Sequence, residues 1–170
     1  MIETPLAILN VAEIAASSKQ PGARLACFVM GTNDLVKETR ADLSSNRRPA
    51  LYWLSAAITA ARAYGLDVLD GVYNNFKDAD GLRRECVHGR ALGFDGKTLI
   101  HPDQVATANE VFAPPAAEVD FARKIIAAFD QLENQSKGVI TVEGRMVELM
   151  HAEMARRTVA IAEAIDAMRP

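Results

Sequence analysis

Apolar positions alternate between strand-like runs and helical spacing as far as a pair of prolines, Pro114 and Pro115, and change character after them. From Pro5 to Ser17 the spacing of Leu6, Leu9, Ile14 and their neighbours predicts a helix, with Thr4 as its cap and Pro5 in its first turn. Lys19 to Gly22 ends it. Leu25 to Gly31, LACFVMG, is an apolar run without alternation, the pattern of a parallel strand buried on both faces. It stops at GTND, and a polar loop, KETRADLSSNRRP, leads to ALYWLSAAITAARAYG, predicted as a long helix stopped by Gly65. LDVLDGV predicts another short strand. Asp78 is placed to cap a helix through Leu92, Gly93 closes it, and GKTLI predicts a further strand ending at His101, with a helix beginning at Pro102.

Strands alternating with helices imply a parallel sheet joined by right-handed crossovers. With Met1–Glu3 taken as a strand stub, residues 1–112 hold four βα units. A doubly wound sheet and a barrel both fit that order, and in either one a ligand sits beyond the carboxyl ends of the strands. Glu3, Asp34 and Asp70 fall there. Residues 113–170 predict a helix of about 20 residues, a hairpin turning at Glu143 and Gly144, and a last helix from Leu149 to Met168.

Composition narrows the partners. Nineteen Lys and Arg against 22 Asp and Glu leave no general attraction to nucleic acid or anionic lipid. No run approaches the roughly 20 apolar residues of a membrane span, and the first residues lack the basic region of a secretory signal, so a cytoplasmic protein is expected. Cys27 and Cys86 lack metal-type spacing and read as buried thiols of a reducing compartment.

Two carboxylates stand out. If neighbouring parallel strands end in Glu3 and Asp34, their side chains converge where a magnesium ion could accept them and keep oxygen ligands from water or substrate. The plainer alternatives are an acid favoured by a helix N-terminus for Glu3 and a turn or cap for Asp34. Gly31 would let the backbone approach a ligand, with the amides of Thr32 and Asn33 binding a carboxylate; a simple turn reads equally well. Asp70 and Asp80 read as structural strand-end and turn residues. His88 and His151 read as solvated or satisfied, His101 is better placed at a strand end, and no histidine has zinc-type spacing to another. GFDGK precedes a strand rather than opening a helix, so it is not a phosphate loop.

The stretch ALGFDGKTLIHPDQVATANEVFAPP, Ala91 to Pro115, resembles the citrate lyase beta subunit and its relatives, the malyl-CoA and citramalyl-CoA lyases of the HpcH/HpaI aldolase superfamily. The likeness extends to MIETPLAILNVAEIA, to GTNDL and to EGRMVELMHAEMARR. It implies an α/β fold: the C-terminal half of a (β/α)8 TIM barrel in residues 1–112 and a helix–hairpin–helix lid in 113–170. It implies Mg2+ bound by Glu3 and Asp34. The reaction implied is carbon–carbon cleavage of a 3-hydroxyacyl thioester, on coenzyme A or an acyl-carrier protein, into an acyl thioester and a 2-oxo acid. The acid/base of the lyases falls at Glu148 in this sequence, in GRMVE, where the family pattern has an aspartate.

A full barrel takes about 250 residues, so the resemblance implies a truncated chain, expected to be weakly active or inactive alone. It also implies a homo-oligomer, a trimer or hexamer, or a partner supplying the other half-barrel. Two alternatives remain open: a non-catalytic remnant or split-gene subunit acting by association, and an aldolase on free 2-oxo acids or a thioesterase on the hydroxyacyl product.

Overall fold

The computed structural model describes residues 1–44, 46–134 and 136–168. Ser45 of the predicted polar loop lies outside them, as do Gln135, Arg169 and Pro170 of the predicted lid. The chain divides into two units, Met1–Phe112 and Ala113–Pro170.

In the first unit, strands β1 (Cys27–Val29), β2 (Asp67–Asp70) and β3 (Gly96–Lys97) form a parallel sheet in the order β1-β2-β3. Cys27 pairs with Asp67 and Leu69 with Gly96. The stub at the start contributes one parallel bridge, Ile2 to Met30, rather than a full strand. It is held by Ile2 N–H to Val29 O at 2.8 Å and Gly31 N–H to Ile2 O at 2.9 Å.

Helices α1 (Pro5–Leu9) and α2 (Val11–Ala16) replace the single predicted helix and meet at Asn10. Thr4 caps α1 as expected, its hydroxyl accepting from Ala7 N–H at 3.1 Å. The predicted polar loop begins late, because Thr32–Thr39 is a helix, α3, ended by Arg40 in the left-handed conformation. Leu35 at its centre is fully buried, and that single apolar anchor outweighs the polar composition around it.

Helix α4 (Leu51–Ala63) lays Leu54, Ala57, Ile58 and Ala61 on the sheet over Phe28, Met30 and Val68, with Val11 and Ala15 of α2 beside them. Cys27, Val29 and Leu69 point the other way and are only half-buried, so the unalternating apolar run is not enclosed on both faces. Cys27 is accordingly a half-buried thiol, whereas Cys86 is fully buried.

Helix α5 (Ala79–Leu92) begins as predicted, with Asp78 Oδ1 accepting from Gly81 N–H at 2.8 Å, and ends at Gly93 with φ of 109°. Strand β3 is only two residues long, shorter than predicted, because the chain turns after Lys97 into a loop tied down by buried Gln104. Gln104 accepts from Ile100 N–H at 3.0 Å and donates to Tyr73 O at 2.9 Å. A short 3-10 turn at Pro102–Gln104 then opens helix α6 (Val105–Phe112), which packs on α5 through Leu82, Cys86, Ala108 and Val111.

The second unit contains helix α7 (Ala116–Asp130), an antiparallel hairpin of β4 (Val139–Val142) and β5 (Arg145–Glu148), and helix α8 (Leu149–Ala167). Its core joins Ile125 and Phe129 of α7, Ile140, Val142 and Val147 of the hairpin, and Ala152 and Ala155 of α8. Alternation along β4 is strict, with Ile140 and Val142 buried and Val139 and Thr141 exposed, which fixes the register of the pair.

Candidate metal and anion site at the strand ends

Met30 and Gly31 follow β1 directly, and Gly31 is also the residue from which α3 departs. A side chain there is impossible as the chain stands: a Cβ on Gly31 would collide with Cβ of Glu3 and lie 3.0 Å from its Oε2. Glu3 therefore folds over the glycine at the carboxyl end of the sheet. Asp34 lies in the first turn of α3, three residues on, and is exposed, while Glu3 is half-buried. Both acids thus flank one strand–helix junction, Glu3 from the chain beside β1 and Asp34 from the helix after it.

Helix α3 has no side-chain cap at its start. Its first amides, Thr32 and Asn33 among them, have no acceptor four residues back within the helix, as at any helix start. The partial positive charge of those groups suits an anion. Thr32 is buried and Asn33 exposed, so the junction has an inner and an outer side.

Next along the rim, Asn33 and Asn74 exchange two amide hydrogen bonds, of 3.1 and 2.8 Å. This pair ties the start of α3 to the loop after β2. A cleft of about 390 Å3 opens there, bordered by Thr32, Asn33, Leu43, Arg47, Tyr73 and Glu85.

Sequence reasoning took Asp70 as a structural strand-end residue, and it is structural, but its full burial and its partners Arg47 and Lys97 were missed. Asp70, at the end of β2, and Lys97, at the end of β3, both have fully buried side chains. Arg47 grips Asp70 with two bonds, Nη1 to Oδ2 at 2.8 Å and Nη2 to Oδ1 at 2.6 Å. Lys97 Nζ lies 3.4 Å from Asp70 Oδ2 and 2.6 Å from Glu85 Oε1, and also donates to Gly71 O. Two cations and two carboxylates thus balance in charge beneath the cleft. Asp70 closes the apolar run LDVLD and Lys97 stands near the start of GKTLI, so spacing did not pair them; which charges meet depends on strand register.

Around the mouth, Tyr73 donates its hydroxyl to Asp78 Oδ2 at 2.8 Å. The Gly81 amide first, and then that phenol, hold the Asp78 carboxyl below its ordinary range, and the same bond raises the Tyr73 phenol. His101 stacks on Phe76, ring centroids 4.6 Å apart, and its Nδ1 accepts from Asp103 N–H at 3.2 Å. In the second unit Glu148 is the cap residue of α8, with its backbone N–H donating to His151 Nδ1 at 2.9 Å.

A family model described as HpcH/HpaI aldolase/citrate lyase matches residues 1–102. The chain belongs to the HpcH/HpaI aldolase/citrate lyase family. It is 53% identical over 167 residues to a (3S)-malyl-CoA thioesterase of Cereibacter sphaeroides, covering 98% of this chain and 57% of that one. The human mitochondrial citramalyl-CoA lyase is 32% identical over 168 residues, covering 96% of this chain and 49% of the enzyme. Among solved structures, the CitE protein of Mycobacterium tuberculosis in complex with magnesium, acetoacetate and coenzyme A superposes with a TM-score of 0.68 at 29% identity, over 92% of this chain and 58% of that one. The chain thus spans a little over half the length of the thioesterase it matches. Members of this family include enzymes that act on CoA esters, as these names state, and the α/β fold is shared.

Do the residues present fit magnesium? The junction offers two hard oxygen anions, and among the described residues no group of three or more His, Cys, Asp or Glu is placed to hold a metal. Two carboxylates with the remaining positions left to water or substrate oxygens is the arrangement magnesium takes, so the donor set fits. No helix among the described residues is long and apolar enough to cross a membrane.

Proposed function

We propose that the protein acts on a malyl-type 3-hydroxyacyl thioester of coenzyme A in a magnesium-dependent reaction, with hydrolysis of the thioester as its outcome. The observation that carries this reading is the Glu3–Gly31 junction, where a carboxylate is folded over a glycine beside uncapped helix amides. The 53% identity to a malyl-CoA thioesterase favours hydrolysis. In this reading the first unit is part of a (β/α)8 barrel and the second a lid.

Glu3 and Asp34 would hold the magnesium ion, which when bound would polarise a substrate oxygen and screen the charge of an adjoining carboxylate. Gly31 allows close approach, and the Thr32 and Asn33 amides orient the free carboxylate of the hydroxy acid. Glu148 serves as the acid/base. For hydrolysis its carboxylate takes a proton from water as the water oxygen bonds to the thioester carbon; the C–S bond then breaks and the thiolate leaves with a proton.

A second reading, carbon–carbon cleavage, is favoured by the resemblance to citramalyl-CoA lyase over 96% of the chain. There Glu148 takes the proton of the carbinol hydroxyl as the bond between the carbinol carbon and the carbon next to the thioester breaks, leaving a 2-oxo acid and a thioester enolate, and the same carboxyl returns the proton to the enolate carbon. Both outcomes use the same metal and carboxylate positions.

Malyl-CoA, citramalyl-CoA and citryl-CoA incubated with the purified protein, with and without Mg2+, would give the products by mass spectrometry. Malate plus free coenzyme A supports hydrolysis, and glyoxylate plus acetyl-CoA supports the second reading. Calorimetric titration with Mg2+ provides an independent readout. Magnesium binding by Glu3→Gln and Asp34→Asn variants equal to that of the parent would overturn the assignment.

A further inference from the structure

We propose that the buried ion quartet of Arg47, Asp70, Glu85 and Lys97 is a positioning device for the anion-binding turn at Thr32 and Asn33, acting through Gly71. The inference rests on the reading of that turn as the carboxylate site. It assigns to the quartet no contact with substrate.

Burying four charges is a poor way to fill space. Desolvation offsets most of the Coulombic gain, and apolar residues of the same volume would serve stability as well or better. The side chains of Asp70 and Lys97 are nevertheless fully buried, those of Arg47 and Glu85 11% and 18% exposed. What the charges supply instead is direction, because each hydrogen bond fixes a distance and an angle that methyl groups would leave loose.

The direction can be followed atom by atom. Asp70 Oδ1 accepts from Gly71 N–H at 2.8 Å, and Lys97 Nζ donates to Gly71 O. Both polar groups of one glycine are thereby gripped by the quartet, and the peptide planes on either side of it lose their freedom to rotate. Thr32 then rests on the face where Gly71 has no side chain: a Cβ there would collide with Thr32 Oγ1 and lie 2.7 Å from Cγ2. Thr32 is the first residue of α3. Rotation of the Gly71 backbone would move its contact with Thr32 and, with it, the amides at the start of the helix.

Arg47 extends the same grip to the chain ahead of α4, since its bidentate hold on Asp70 reaches back 23 residues in sequence. The cross-tie of Asn33 to Asn74 is exposed, and buried Leu35 anchors the helix one turn on, so on the inner side Thr32 itself is set by its contact with Gly71. Asp70 and Lys97 are thus positioning residues, one residue removed from the group they orient.

The test compares Lys97→Met, Gly71→Ala and the double variant Gly71→Ala/Thr32→Ala with the parent protein. Two readouts are taken at a temperature where circular dichroism shows every variant folded: the affinity for malate in the presence of Mg2+, and the amide NMR shifts and hydrogen-exchange rates of residues 32–35 without ligand. Lys97→Met and Gly71→Ala should each weaken malate by about tenfold or more and displace the Thr32 and Asn33 amide resonances. Gly71→Ala/Thr32→Ala should restore part of the lost affinity, because the methyl then has room. Unchanged affinity and unchanged amide signals in folded Lys97→Met would overturn the proposal. So would a double variant no better than Gly71→Ala. If the parent fails to bind malate, the carboxylate reading falls, while the amide signals still report whether the quartet orders the turn.

Discussion

Glu3 and Gly31 occupy adjoining space so closely that only hydrogen fits between them. The nearest backbone atom, Cα of Glu3, would lie 3.2 Å from an added Cβ, so relief requires backbone movement at the bridge between Ile2 and Met30. Gly31→Ala should destabilise the protein by about 1–3 kcal/mol and weaken Mg2+ binding, read by urea titration and calorimetry. Gly138→Ala is the control, since an added methyl there meets nothing within 4 Å.

Removing Asp70 leaves Glu85 as the one carboxylate of the quartet facing two cations. Asp70→Ala strips Arg47 and Lys97 of their shared carboxylate and should cost roughly 3–5 kcal/mol. A shift of the urea midpoint at neutral pH measures it. Asp95→Ala breaks a more exposed pair, with Arg62 at 2.8 Å and 35% exposed, and should cost less even though Asp95 also accepts from Val68 N–H.

The cap of α5 makes stability depend on pH at both ends of the scale. Asp78 has a lowered folded-state pKa, so its contribution is present above the unfolded-state value and is lost as pH falls through the folded one. Asp78→Asn keeps a capping oxygen and should flatten that acid-side loss. Tyr73 has a raised pKa, so its contribution is complete below the ordinary tyrosine value and is lost as pH rises through the folded one. Thermal unfolding of Asp78→Asn and Tyr73→Phe across pH checks both signs; an unaltered profile in both variants contradicts them.

The hairpin turns on two left-handed residues, Glu143 with φ of 48° and Gly144 with φ of 75°. No atom lies near an added Cβ on Gly144, so the cost of Gly144→Ala is conformational only. It should amount to about 1–2 kcal/mol. Circular dichroism melts would detect it. Glu143→Gly should be milder in effect, since freeing φ compensates for losing the exposed ion pair with Lys124.

Much of this architecture was legible because local chemistry marks element ends. Thr4, Asp78 and Gly93 sit where a cap or stop is needed, and they act as such regardless of what packs around them. The hairpin follows from alternation and a left-handed pair. Illegible were the helix Thr32–Thr39, whose polar residues hide one buried leucine, and the brevity of β3, set by Gln104 reaching back to Tyr73.

The chain by itself determined the alternation of strands and helices, the glycine at the end of β1 and the acids on either side of it, because each is a property of a few neighbouring residues. Only the tertiary structure decided that Glu3 lies over Gly31 and that Asp70, taken for a simple strand-end acid, is fully buried between Arg47 and Lys97. Those pairings join residues 23 to 28 positions apart. Strand register and loop path bring them together, and neither is written in the spacing of any one segment.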